Sequence, residues 1–194
     1  MRYFFVKNLL LNIIASILCV TWLFVAGYGL YIWGLKRYVY PLKERETVFY
    51  YADYYEIDKA LVYAVIKAES GFNEHSESHK GAKGLMQITE PTGRYIADKM
   101  GVERYDLMDK ETNVNFGCFY IRYLMDKFGD KETALTAYNA GEGKVRIWLM
   151  NKEYSDDGKS LKKIPYRESR EYIDKIKENF SKYNKLYGNL LDKS

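Results

Sequence analysis

The chain has 194 residues, 47% of them hydrophobic and 29% charged, which excludes a disordered tract and leaves room for one ordinary domain plus an appendage. Lys and Arg outnumber Asp and Glu by 30 to 26, a formal charge of +4, and they form no compact basic run of the kind that marks a nucleic-acid binder. Only three prolines and two cysteines occur. Cys19 lies in an apolar segment suited to lipid and Cys118 about a hundred residues later in a helical pattern, which argues against a disulfide between them, and Cys118 reads as a small core residue.

The first element is apolar. From Asn8 to Leu35 no charged residue occurs. As a helix rising about 1.5 Å per residue, this stretch exceeds the ~30 Å hydrocarbon core of a bilayer. Tyr28, Tyr31, Trp33 and Tyr38 cluster at its far end, like an interfacial aromatic belt. A cleaved signal peptide has an apolar core of roughly 7–15 residues and a small-residue site after it, and the segment fits neither feature. Bulky Leu18 also argues against lipid attachment at Cys19. The reading is an uncleaved single-pass anchor. Its flanks carry Arg2 and Lys7 on one side and Lys36, Arg37, Lys43 and Arg45 on the other, a count that tilts toward a cytoplasmic body.

The pattern divides the chain into a tip and anchor (1–35), a charged and aromatic stalk (36–56) that turns helical after Pro41, a body (57–187) and a tail (188–194). Within the body, Asp58 is an N-cap for the run from Lys59 to Glu69. Pro91 suits a first helical turn and Gly101 its end. Periodic segments at 112–128, 131–140 and 143–150 stop at or near Gly129, Gly141 and Met150. Residues 150–160 read as a polar loop. A long helix is expected over 167–187, ending at Gly188, with Tyr172, Ile173, Ile176 and Phe180 on one face. No period-2 strand stands out. The fold class is all-α: a compact multi-helix domain of short, unequal helices rather than a simple bundle, behind an N-terminal transmembrane helix.

One carboxylate is out of place. The first body helix is apolar almost all round, which marks a buried helix. Glu69 closes it, on the same face as Leu61, Val62 and Val65. Desolvation and the negative end of the helix dipole both raise the pKa of a carboxyl there. A general acid working near neutral pH needs that property. The bland alternative is an ordinary glutamate at a frayed helix end. His75 and His79 stand four apart beside Glu74 and Glu77, but in a loop and not in a metal-binding order.

A series of blocks runs through the body in fixed order. Glu69-Ser70-Gly71-Phe72 comes first, followed by Ser78, Gly81-Ala82-Lys83-Gly84-Leu85-Met86-Gln87-Ile88 and Pro91-Thr92. Then come Asn113-Val114 with Gly117 and Tyr120, Ala137-Tyr138-Asn139-Ala140-Gly141, Trp148, and Ile164-Pro165-Tyr166-Arg167-Glu168-Ser169 with Tyr172. The set resembles the lytic transglycosylase domain of the soluble-lytic-transglycosylase type, related to goose-type lysozyme. The one clear departure is Ser169, where the family carries Thr; the hydroxyl is kept.

The resemblance implies a lysozyme-like α-fold and Glu69 as a single catalytic acid and base. In the family, the glutamate protonates the oxygen linking N-acetylmuramic acid to N-acetylglucosamine. It then takes the proton of the muramic acid C6 hydroxyl, which attacks C1 to give a 1,6-anhydro end. An internal hydroxyl has a very high effective concentration, so a second, nucleophilic carboxylate is not obligatory. By the same resemblance Ser78, Met86, Gln87, Tyr138, Asn139, Glu168 and Tyr172 are expected to line the glycan groove. Met86 could instead be core, and Tyr138 could orient Glu69. No cofactor or metal is implied. The expected partners are peptidoglycan strands and the membrane, the latter through the N-terminal helix. Because peptidoglycan lies outside the cytoplasmic membrane, the body is expected on the extracytoplasmic side, against the charge count. A hydrolytic muramidase on the same fold and a catalytically silent peptidoglycan-binding scaffold are the alternatives.

Overall fold

The computed structural model describes residues 2–192; the side chains of residues 2–10 and of Asn189 lie outside the description. Met1 of the expected tip and Lys193 and Ser194 of the expected tail also lie outside it. The chain forms two compact units, residues 1–42 and 43–194.

The first unit is one helix, α1 (Arg2–Gly34), continued by a π-helical turn over Leu35–Val39. Large apolar side chains along its described length are exposed: Trp22, Leu23 and Phe24 are each more than 70% accessible. The 29 residues Leu11–Val39 are long and apolar enough to cross a bilayer, at about 1.5 Å per residue.

The second unit begins with α2 (Arg45–Tyr54), followed by α3 (Lys59–Glu69). The expected stalk runs through α2, but α2 packs as part of the compact unit. Val48 and Ala52 are fully buried, and buried Lys59 of α3 is ion-paired with Asp53. Tyr55 donates a 2.7 Å hydrogen bond to Asn115 Oδ1. A helix with two buried apolar positions one turn apart gains more by packing than by standing free. Compact structure thus starts near Lys43, earlier than the boundary expected at Ile57.

The remaining helices are α4 (Glu90–Met100), α5 (Lys110–Phe128), α6 (Lys131–Ala140), α7 (Glu142–Leu149) and α8 (Arg167–Leu191). Local chemistry sets their ends. The side chains of Asp58, Thr89, Asp109 and Asp130 accept N-cap hydrogen bonds from Ala60, Thr92, Thr112 and Thr133. Gly101 and Gly129 end α4 and α5. Two expectations fail. Gly188 does not stop α8, which runs on to Leu191; a helical glycine costs only about 1 kcal/mol, and Leu191 is buried. A short antiparallel hairpin is also present, β1 (Ala82–Lys83) against β2 (Ile88–Thr89). Two-residue strands are too short to show a period in sequence.

At the centre, α3 is buried along Lys59–Ile66 and packs against α8. Tyr183 of α8 is fully buried and stacks on Tyr63 of α3 at 5.3 Å. Cys118 is buried in α5 as a free thiol.

Candidate active site

The site is built from the C-terminal end of α3. The turn that follows is held by Ser70, whose hydroxyl accepts from the Phe72 N–H at 3.1 Å and donates to the Ile66 carbonyl at 3.3 Å. Phe72 is thereby tucked into the core against Tyr63, in a left-handed conformation (φ 69°). This accounts physically for the Glu69-Ser70-Gly71-Phe72 block: the hydroxyl closes the turn, the ring anchors it, and Glu69 is left on the open side.

The opposite wall is the hairpin and the loop before it, held by one buried amide. Asn113 of α5 donates to the carbonyls of Lys83 (2.9 Å) and Leu107 (2.8 Å) and accepts from the Met86 N–H (2.7 Å). Gly84 makes this approach feasible: a Cβ there would lie 2.5 Å from the Asn113 amide nitrogen. Gly117 plays the same part for Met86, whose sulfur would lie 2.2 Å from an added Cβ. Gln87 at the turn adopts φ 50° and donates through Nε2 to the carbonyls of Ser76 (3.0 Å) and Gly84 (2.9 Å). A non-glycine residue in the left-handed region is costly and persists where its surroundings over-determine it, commonly at functional sites.

Between these walls runs a groove of about 450 Å³. Six of the eight residues expected in the site line it: Glu69, Ser78, Gln87, Tyr138, Asn139 and Glu168. The other two do not. Met86 is fully buried beneath the wall, and its contribution is its carbonyl, which accepts from the Tyr138 hydroxyl at 2.8 Å. Tyr172 is buried behind Glu69 and donates to its Oε1 at 2.7 Å. Tyr138 is anchored on Met86, so among the described contacts it is Tyr172 that orients the glutamate. His79, Lys80, Thr89, Thr92 and Tyr120 also line the groove, without having been singled out for it. Thr92 and Tyr120 stood inside the motif blocks, which was the available signal; nothing local marked the others.

Glu69 is half-buried as a residue, but its carboxyl is strongly desolvated. Burial pushes its pKa up to about 7, against the opposing pulls of the Tyr172 hydrogen bond and the Lys175 charge. The second carboxylate of the groove, Glu168, is exposed and lies 3.6 Å from Lys80 in an ion pair. Asn139 is fixed by Ser169, a buried hydroxyl that donates to its Oδ1 at 2.9 Å. Either Ser or Thr supplies that donor, which explains why the departure at Ser169 is harmless to the geometry. Tyr120 and Tyr138, ring centroids 5.7 Å apart, give the groove an aromatic side. His75 points to Glu74, 3.5 Å away, and no group of three or more metal-ligating side chains occurs among the described residues.

A family model described as the transglycosylase SLT domain matches residues 46–169. The chain belongs to this family. The chain is 32% identical over 151 residues to the soluble lytic murein transglycosylase of Escherichia coli K12, covering 75% of this chain and 23% of that protein. It is 40% identical over 102 residues to the membrane-bound lytic murein transglycosylase F of Desulfosudis oleivorans, covering 49% of this chain and 21% of the relative. Among solved structures, the 70 kDa soluble lytic transglycosylase of E. coli matches with a TM-score of 0.67 and 30% identity over 77% of this chain and 25% of its own. A lytic transglycosylase of Pseudomonas aeruginosa, solved as an inactive mutant with a glutamate changed to glutamine, matches with a TM-score of 0.65 and 26% identity over 75% and 24% of the two chains. The chain thus spans about a quarter of the length of these relatives. The likeness establishes the all-α, lysozyme-like fold of the SLT domain.

Proposed function

We propose that this chain is a membrane-anchored lytic transglycosylase that cleaves the bond between N-acetylmuramic acid and N-acetylglucosamine in peptidoglycan. The observation that carries the reading is Glu69: a carboxyl in the wall of an open groove, desolvated so that it holds its proton near neutral pH, and oriented by Tyr172. In the first step Glu69 gives its proton to the glycosidic oxygen as the C1–O bond breaks. In the second, the C6 hydroxyl of the same muramic acid attacks C1, and its proton passes to the Glu69 carboxylate. The enzyme is restored, a 1,6-anhydro ring forms and no water is consumed. A single desolvated carboxylate suffices for this sequence, and Glu168, exposed and ion-paired with Lys80, is read as a substrate-binding group rather than a nucleophile. Gln87, Asn139 and Ser78 offer amide and hydroxyl groups to sugar hydroxyls and acetamido groups, and Tyr120 and Tyr138 offer flat apolar faces.

Anchoring is supported by the exposed apolar span Leu11–Val39 and by relatives named as membrane-bound. With peptidoglycan as substrate, the body belongs outside the cytoplasmic membrane despite the flanking charges. Long domains are exported in spite of such bias.

The test is mass spectrometry of purified peptidoglycan digested with the chain and with Glu69→Gln. Anhydro-ended fragments from the wild type, and a loss of at least about 100-fold in the variant, are expected. Only reducing muramic acid ends would instead assign a hydrolytic muramidase. Full protease protection of the body in intact spheroplasts would overturn the topology.

A further inference from the structure

Three side chains of α8, at positions 172, 175 and 179, reach across to α3 along one helical face. Tyr172 donates to Glu69 Oε1 at 2.7 Å, Lys175 Nζ to the Ala68 carbonyl at 2.6 Å, and Asn179 Nδ2 to the Ala64 carbonyl at 3.4 Å. The first and third partners are buried, whereas Lys175 is exposed. Its acceptor is one of the last carbonyls of α3, which lack helical N–H partners and concentrate the negative end of the helix dipole. Ala68 directly precedes Glu69, so this cation sits where the dipole acts most strongly on the catalytic carboxyl.

We propose that Lys175 is a positioning residue for Glu69: seated on the Ala68 carbonyl, its ammonium offsets the negative end of α3, so that Glu69 can part with its proton during bond cleavage and exist as the carboxylate that the second step requires. The inference rests on the reaction proposed above. A general acid buried at the C-terminus of a helix has a built-in difficulty. Desolvation and dipole both favour the protonated form, and an acid held too tightly is a poor donor. A charge on the last turn relieves this from outside the groove, without touching substrate. The ionisable groups that act on Glu69 are Tyr172 and Lys175 of α8 and Tyr138 of α6. Lys67 on α3 itself interacts with Lys175, and His79, Lys80 and Glu168 line the same groove. Of the two groups that favour the Glu69 carboxylate, Tyr172 is a neutral donor and Lys175 is the cation.

The experiment uses the full chain in detergent micelles, labelled with carbon-13 at the glutamate side-chain carboxyl, the Glu69 signal being assigned by its absence in Glu69→Gln. Lys175→Gln removes the charge but retains an amide donor for the Ala68 carbonyl. Lys175→Met removes both, and Lys175→Arg keeps both. The Glu69 titration midpoint is expected to rise by about 0.5 pH in the Gln and Met variants and to stay put in Arg. The alkaline limb of kcat/KM should move with it, with kcat down by up to about threefold at neutral pH. A merely structural cap predicts the opposite pattern: thermal stability lost in Met, retained in Gln, and no change in midpoint. That pattern, or an Arg variant that behaves like Met, would overturn the proposal. The titration needs no substrate, so a shifted midpoint in a chain that releases no anhydro products would uphold the coupling and overturn the reaction.

Discussion

The hydroxyl of Tyr172 lies 2.7 Å from Oε1 of Glu69, joining two residues 103 positions apart through the packing of α8 on α3. The tyrosine is itself buried and, facing the Glu69 carboxylate, has its own ionisation pushed well above the usual phenol value, so it serves as a donor at all relevant pH. Its removal should be felt in the proton affinity of Glu69 before it is felt in the fold. In Tyr172→Phe, the hydrogen bond that favours the carboxylate is lost, so the Glu69 pKa should rise further above about 7. Turnover should fall roughly tenfold, with the alkaline limb of the pH profile moved upward. An unmoved limb would show that Tyr172 only fills space.

The wild-type profile follows from the same carboxyl. In the proposed reaction Glu69 must be protonated in the free chain to act as an acid. With its pKa pushed up to about 7, kcat/KM should be level below that pH and fall about tenfold per pH above it. A limb near pH 4.5, where an unperturbed glutamate titrates, would mean that another group supplies the proton.

Linkage gives a prediction about stability. The folded-state pKa of Glu69 lies above its unfolded value, so the folded chain binds the extra proton between about pH 4.5 and 7. Stability is therefore undiminished below pH 4.5, falls as pH rises through that window, and is lowest above it. The full penalty is on the order of 3 kcal/mol. Glu69→Gln lacks the ionisation and should unfold at a higher temperature than wild type at pH 8, with the difference shrinking by pH 5. Thermal melts at the two pH values check this; a constant difference would contradict it.

The groove wall depends on Asn113. Asn113→Ala should cost about 3 kcal/mol, because it removes three hydrogen bonds and strands buried backbone groups of the hairpin. Gly117→Ala should cost about 1–3 kcal/mol by crowding Met86. Both should weaken substrate binding along with stability, since the displaced segment carries Gln87. Denaturant melts and KM values together test the link: a destabilised variant with unchanged KM would separate wall from groove.

How much of this was written locally is visible element by element. The cap at Asp58 and the stops at Gly101 and Gly129 are short-range hydrogen-bonding and steric effects, and helix boundaries read from them agree with the structure within a residue or two; the caps at Asp109 and Asp130 act over the same range but were not read from the sequence. The apolar surround of Glu69 and the order of the motif blocks were likewise properties of the chain alone. What needed tertiary structure is what spans distance. Met86 and Gln87 are neighbours in one block, yet one is core and the other lines the groove, because Gly117, about thirty residues on, leaves room for the methionine and Asn113 accepts from the Met86 N–H. Tyr172 and Lys175 carry no local sign that they serve Glu69; only the antiparallel packing of α8 on α3 brings them there. Periodicity and capping act over four residues or fewer and are therefore legible in sequence. The environment that sets the acidity of a carboxyl is assembled from side chains a hundred residues away, and it exists only once the chain has folded.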